Sequence, residues 1–211
     1  MAATDPFAAL VAHYEACFAR HGDTHRGVDW PNAEQASTRY RVMSELMREH
    51  EQTSVLDFGC GAGHFLDYLR ASKYRDVAYS GLDLSPTFIE LCRRKYPGVS
   101  FECIDAMQSG VRVPQADYIV LNGVFTERCG IAHDTMFEAM AALLAKLFPR
   151  ARRGLAFNVM STYVDWERAD LFHVAYDRIS RFVVDRLSRH HVIRADYGLF
   201  EYTVYVYKDP A

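Results

Sequence analysis

Ser54-Val55-Leu56-Asp57-Phe58-Gly59-Cys60-Gly61-Ala62-Gly63 reads as a short apolar strand running into a glycine-rich turn. The residues up to Phe58 suit a buried strand, and an amphipathic segment opens at about Ala62. The glycines between them reach backbone angles that a Cβ forbids and let a ligand approach the main chain closely. A glycine turn between a strand and a helix is the setting that a nucleotide-binding loop requires. By itself the turn leaves open the lesser alternative of a tight connection that binds nothing.

The next strand narrows the choice. Val77-Ala78-Tyr79-Ser80-Gly81-Leu82-Asp83 ends in a carboxylate that lies about 20 residues beyond the glycines, where an acid accepts the hydroxyls of a ribose. That spacing also suits a nicotinamide dinucleotide, but the third glycine arrives one residue early for G-x-G-x-x-G. Asp57 at the end of the first strand would also repel a pyrophosphate. Beside the ammonium of a methionine moiety the same carboxylate is favourable.

Further outward, short apolar runs alternate with amphipathic segments, the pattern of β-α-β units wound on a parallel sheet. Strands are expected at 54–58, 77–83, 99–104, 117–122 and 154–160, and helices at about 62–71, 86–95, 133–148 and 172–188. The end of the chain reads as an antiparallel hairpin, with strands starting at His191 and Leu199 joined by a tight turn at Tyr197-Gly198. Before residue 53 the chain is helical. A first helix starts at Thr4 or Asp5 with Pro6 and runs to about Ala19, a loop spans His21 to Asn32, and a second helix runs from about Ala33 to His50.

Val55 to Gly63 together with Gly81-Leu82-Asp83-Leu84-Ser85 resembles the first two motifs of the class I, S-adenosylmethionine-dependent methyltransferases. The resemblance covers about residue 53 to the final hairpin. It implies an α/β, Rossmann-like, doubly wound sheet of seven strands, mostly parallel, with an antiparallel C-terminal strand. Residues 1–52 would form a helical lid on a single domain whose core is 53–211. It further implies that Gly59, Gly61 and Gly63 pack against the methionine part of the cofactor and that Asp83, followed by Leu84, takes the ribose. Asp105, with the backbone N–H of Ala106, would face adenine, and Asn122 would lie near the methyl-bearing sulfur.

The loop from Gly22 to Trp30 is similar to segments that close over cofactor and substrate in small-molecule members of this family. Trp30 and Tyr14 are candidates to stack on adenine or substrate, and Arg41 to pair with the methionine carboxylate; the alternative for Trp30 is ordinary packing. Ligands of open α/β sheets sit at the carboxyl ends of the strands, so the stretches Phe125–Asp134 and Ser161–Arg168 should face the acceptor. An oxygen nucleophile would need a base, for which His133 and His173 are candidates, with Glu127, Tyr163 and Asp165 as alternates or anchors. His190 and His191 read as structural.

Composition limits the partners. A net charge of −3 over 211 residues gives no general attraction to nucleic acid. No apolar run reaches the roughly 18 residues of a membrane span, and no basic-then-apolar leader opens the chain. Five cysteines without a C-x-x-C pair suggest neither disulfides nor a metal site, which fits a reducing, cytoplasmic setting. Asn122-Gly123-Val124-Phe125 lacks the Asn-Pro-Pro-Tyr type of motif carried there by enzymes that methylate amino groups of nucleic acids and proteins. A small acceptor is expected, most readily a sugar or natural-product metabolite methylated at oxygen. N-, S- or C-methylation, and cofactor binding without turnover, remain open on the sequence.

Overall fold

The computed structural model describes residues 7–48 and 51–211. Two helices, α1 (Ala8–His21) and α2 (Ala33–Ser44), precede β1 (Ser54–Phe58). Then follow α3 (His64–Arg70), β2 (Ala78–Asp83), α4 (Pro86–Lys95), β3 (Ser100–Cys103), β4 (Ala116–Phe125), α5 (His133–Leu147) and β5 (Ala151–Ser161). The chain ends with β6 (His173–Val174), α6 (Tyr176–Arg186), β7 (His191–Arg194) and β8 (Glu201–Tyr207). The strand order is β3-β2-β1-β4-β5-β8-β7, with the two-residue β6 paired to β5 beside it. Every pair is parallel except β5 with β8 and β7 with β8. The Rossmann-like expectation therefore holds, with β6 added to the seven strands.

The central strands are apolar on both faces because helices cover both faces. Leu56, Ile119, Leu121, Leu155, Phe157, Val204 and Val206 pack on one side in a core that includes α5 and α6. The alternate residues Val55, Tyr118, Val120, Ala156, Tyr205 and Tyr207 pack on the other, against α2 and α3. This period of two fixes which face each side chain meets. The order reverses between β1 and β4, so the carboxyl ends of those strands form the crevice where such sheets bind ligands.

Several boundaries differ from expectation for local reasons. The proposed start of the first helix at Thr4, Asp5 and Pro6 lies outside the described residues. α2 ends at Ser44 rather than near 50, because Leu46 and Met47 donate to the carbonyls three residues back and tighten the last turn. The helix expected at 172–188 begins only at Tyr176: Phe172 donates to the Thr126 carbonyl, and His173-Val174 pair with Met160-Ser161. β4 continues past Asn122 through a register break at which Gly123 takes φ +79°. The turn between β7 and β8 is wider than Tyr197-Gly198, since β7 stops at Arg194 and β8 starts at Glu201. Among the described residues no helix is long and apolar enough to cross a membrane.

Candidate active site

The glycine turn is held by its neighbour strand. The N–H groups of Gly59 and Cys60 both donate to the Leu82 carbonyl, at 2.7 and 3.0 Å. Gly59, Gly61 and Gly63 have φ of +78°, +50° and +77°, the left-handed region that favours glycine. A Cβ at Gly59 would stand 2.6 Å from the Val124 side chain, so that position has no room for one. Asp83 closes the turn from below: one carboxylate oxygen accepts from Gly61 N–H at 2.8 Å and the other from Ser85 N–H at 2.9 Å. Ser85 in turn caps α4 by accepting from Phe88 N–H and donates to Glu15 of α1.

A cavity opens over this turn, lined by Asp57, Gly59, Gly61, Asp83, Leu84 and Asn122 on the sheet side and by Tyr14, Val28 and Trp30 on the other. Asp57 is 2% exposed and accepts a 2.7 Å hydrogen bond from the Tyr79 hydroxyl. Burial pushes its acid up to about 7; the Tyr79 hydrogen bond opposes this and the Asp83 charge adds to it. Asp83 is raised as well, chiefly by burial, against the pull of the N–H groups it accepts from. Two desolvated carboxyl groups facing one cavity favour a ligand that brings positive charge and hydroxyl donors. Asn122 Oδ1 is buried in the same wall without a hydrogen-bond partner, a further acceptor awaiting a donor. This set fits an adenosyl sulfonium amino acid. Asp57, Asp83 and Asn122 all turn acceptors toward the cavity, and Asp83 has lone pairs beyond the two that Gly61 and Ser85 use.

The remaining cofactor candidates separate. Gly63 stands outside the lining and packs under Tyr96, whose ring would be 2.6 Å from a Cβ there. Asp105 accepts from Met107 N–H at 2.8 Å, as a turn residue does, and Ala106 is buried in the core; neither lines the cavity. Arg41 is out of the site altogether. Its side chain is 45% exposed and pairs with Glu45 one helical turn on, which also holds Arg194 of β7.

α1 and the loop that follows it, to Trp30, lie across the crevice. Asp23 binds both His64 of α3 and Lys95 of α4 at 2.8 Å. Tyr14 donates to the Gly123 carbonyl at 3.2 Å, and the Trp30 ring lies against Gly123, 2.6 Å from where a Cβ would be. No metal site is marked in the sequence, yet this segment brings ligand atoms of His13, Cys17 and Asp29 within 4.8 Å of one another. The closest contact among them is a 2.7 Å His13–Asp29 hydrogen bond.

Tyr14 and Trp30 also line a second cavity, which opens on the far side of Gly123 between the N-terminal helices and the ends of β4 and β5. Its volume of about 510 Å³ falls in the roughly 300–1,000 Å³ range of small-molecule sites. Glu127 lines it, and burial, with the Asp29 and Asp170 carboxylates adding, pushes its acid up to about 7 against the pull of His13 and Arg168. His173 also lines it and is 6% exposed, but both ring nitrogens are engaged. Nδ1 donates to the Ser161 carbonyl at 2.6 Å and Nε2 accepts from Arg168 N–H at 3.2 Å. It positions the loop from Ser161 to Phe172 and has no free nitrogen for a substrate proton.

The structure removes His133 and Tyr163 from this cavity. His133 Nε2 bonds to the His173 carbonyl at 2.7 Å and Nδ1 meets Arg178, tying α5 to β6 and α6. Tyr163 is 76% exposed and its ring lies tilted against Tyr176, 5.2 Å between centroids. Asp165 lines the cavity, as do Trp166 and Phe200, which are 74% and 65% exposed at its rim.

Sequence reading missed a buried polar chain linking the two cavities. Gly123 N–H donates to Asn158 Oδ1, Asn158 Nδ2 donates to Glu201, and Glu201 takes two contacts of 2.8 and 2.6 Å from Arg39. The available signal was polar residues at core positions of periodic segments: Arg39 among Ala36, Val42 and Met43, Asn158 within an apolar strand, and Glu201 opening a buried one.

A profile of the family described as "Methyltransferase domain" matches residues 56–152. The Mycobacterium tuberculosis protein Rv1506c, which is named a methyltransferase, is 31% identical over 160 residues, covering 74% of this chain and 93% of that protein. A trans-aconitate 2-methyltransferase of Methylobacterium nodulans is 31% identical over 134 residues, 61% of this chain and 46% of the relative. The crystal structure of the Synechocystis magnesium protoporphyrin IX methyltransferase with bound S-adenosylmethionine superposes with a TM-score of 0.67. That alignment covers 99% of this chain and 100% of the other at 14% identity, a likeness of fold. With a glycine turn, two buried acids and an unpartnered acceptor at the carboxyl ends of its strands, the chain belongs to the class I, S-adenosylmethionine-dependent methyltransferases.

Proposed function

We propose that this enzyme methylates an oxygen atom of a small molecule held in the second cavity, with Glu127 as the general base. The observation that carries this reading is the position of Glu127: a half-buried acid raised to about 7, in a small-molecule-sized cavity that shares Tyr14 and Trp30 with the cofactor cavity. A hydroxyl is a weak nucleophile until its proton leaves, and a base works best when its pKa lies near the working pH. S-adenosylmethionine supplies an electrophilic methyl group on a sulfonium. The protein's own part is to align the acceptor, exclude water and take one proton. Asp57, Gly59, Gly61, Asp83, Leu84 and Asn122 hold the cofactor in this reading. The segment 1–52 acts as a lid on a single domain, with Trp30 and Tyr14 as the shared wall.

The two relatives named for their acceptors, trans-aconitate and magnesium protoporphyrin, support a small molecule. The five free thiols support a reducing, cytoplasmic setting. A metabolite extract treated with the protein and methyl-labelled S-adenosylmethionine tests the acceptor. Labelled product is expected to carry the methyl on oxygen, and a label on nitrogen, sulfur or carbon would overturn this reading.

A further inference from the structure

The geometry points to Arg39 as the anchor for a carboxylate on the acceptor, which makes the substrate a hydroxy acid. The inference rests on reading the second cavity as the acceptor site. Arg39 lines that cavity and is 7% exposed. Its Nε and Nη2 are committed to Glu201 at 2.8 and 2.6 Å, while Nη1 is buried without a hydrogen-bond partner. A guanidinium N–H left unpaired in a protein interior is costly, and its strongest partner is an ionised oxygen. The Trp30 ring lies 4.2 Å from the guanidinium carbon, so Arg39 is packed in one orientation before any ligand arrives.

Several charges around the cavity are already paired, Arg168 of the loop after β5 with Asp170 among them. Arg26, from the turn before α2, lines it as well, and its side chain has no hydrogen bond or ion pair among the described residues. On the same side the Asp29 carboxylate is engaged by His13 and the Glu201 carboxylate by Arg39 and Asn158. The uncommitted guanidinium donors on this side are therefore those of Arg26 and Arg39, beside the Gln35 amide and the His21 ring. The loops after β4 and β5 supply Glu127 and Asp165, together with Arg168, which Asp170 engages. A molecule with a carboxylate toward the helices and a hydroxyl toward Glu127 meets complementary groups at both ends. Trp166 and Phe200, exposed at the rim, offer flat apolar surface to its body.

The test uses the full chain saturated with S-adenosylhomocysteine and follows calorimetric binding of acid and amide pairs: benzoate with benzamide, cinnamate with cinnamamide, and cyclohexanecarboxylate with its amide. The acid of at least one pair should bind more tightly than its amide by about tenfold or more. Arg39→Gln alone strands Glu201, so the double variant Arg39→Gln, Glu201→Gln keeps a neutral pair in its place. It should bind acid and amide alike, and Arg26→Gln, at an exposed position, should reduce the preference by a smaller factor. Equal binding of acids and amides by the natural protein, binding of neither, or an acid preference that survives the double variant would each overturn the anchor. If the double variant does not fold, an undiminished acid preference in Arg26→Gln together with Arg39→Lys overturns it instead. The methyl-label experiment and S-adenosylhomocysteine binding report on the methyltransferase reading separately, since neither requires a carboxylate on the acceptor.

Discussion

The two cavities share a wall of Tyr14 and Trp30 but are built in opposite ways. The cofactor cavity rests on one continuous turn, whose N–H groups are fixed by the Leu82 carbonyl and the Asp83 carboxylate of the adjacent strand. The second cavity, proposed for the acceptor, is assembled from α1, α2 and the turn between them, the end of β4, the loop after β5 and the loop before β8. Its central ion pair joins residues 162 apart in sequence. Backbone-built sites tolerate little variation in residue type, whereas a side-chain-built site changes with every substitution. One scaffold can therefore keep its donor while its acceptor diverges.

Four measurements sharpen or break this division. The largest effect is expected from Glu127→Gln, which should lower kcat by about 100-fold or more, the range for removing a general base. S-adenosylhomocysteine affinity should stay unchanged, and the rise in rate through about pH 7 should disappear. A parallel loss of cofactor affinity would show that the cavities are not separable. Next, Asp83→Ala removes the acceptor of the Gly61 and Ser85 N–H groups and should weaken S-adenosylhomocysteine by about 1.5–3 kcal/mol. Calorimetry showing no loss would place the ribose elsewhere.

The third concerns Asp57. Burial raises its acid to about 7, so the free protein carries a proton there below that pH, and an ammonium group needs the carboxylate. Affinity for S-adenosylmethionine should therefore fall by up to about tenfold for each pH unit below 7 and level off above it, with a proton released on binding near neutrality. A flat pH profile removes Asp57 from the ammonium site. The smallest effect is expected from Arg41→Ala, which should alter stability by no more than about 0.5 kcal/mol and leave cofactor binding unchanged. A large change in either would restore Arg41 to the site.

The same division explains what was legible in the sequence. The glycine turn, Asp57 and Asp83 carry their meaning in local order, because a strand-turn-helix segment and its neighbour strand fix their positions. The apolar periodicities likewise gave the core strands and most helices. Arg41 and Arg39 show where this stops. They are two residues apart on one helix and face opposite ways, and Arg39 makes sense on the buried side only once Glu201 is known to lie beside it. His133 failed for a related reason. A histidine at a helix start looks available until β6, which a two-residue pairing creates, supplies the carbonyl that engages it. Asn158, within an apolar strand, had no local pattern to announce its bonds to Gly123 and Glu201.

The Asp23 clasp has a consequence for turnover. The Asp23 side chain is 37% exposed, bonded to His64 and ion-paired with Lys95, and an exposed ion pair of this kind is worth at most about 1 kcal/mol and is weakened by salt. With the N-terminal segment acting as the proposed lid, a fastening of that strength would favour the shut position without trapping what lies beneath it. Spent donor can depart between cycles, and its residence time should shorten as ionic strength rises.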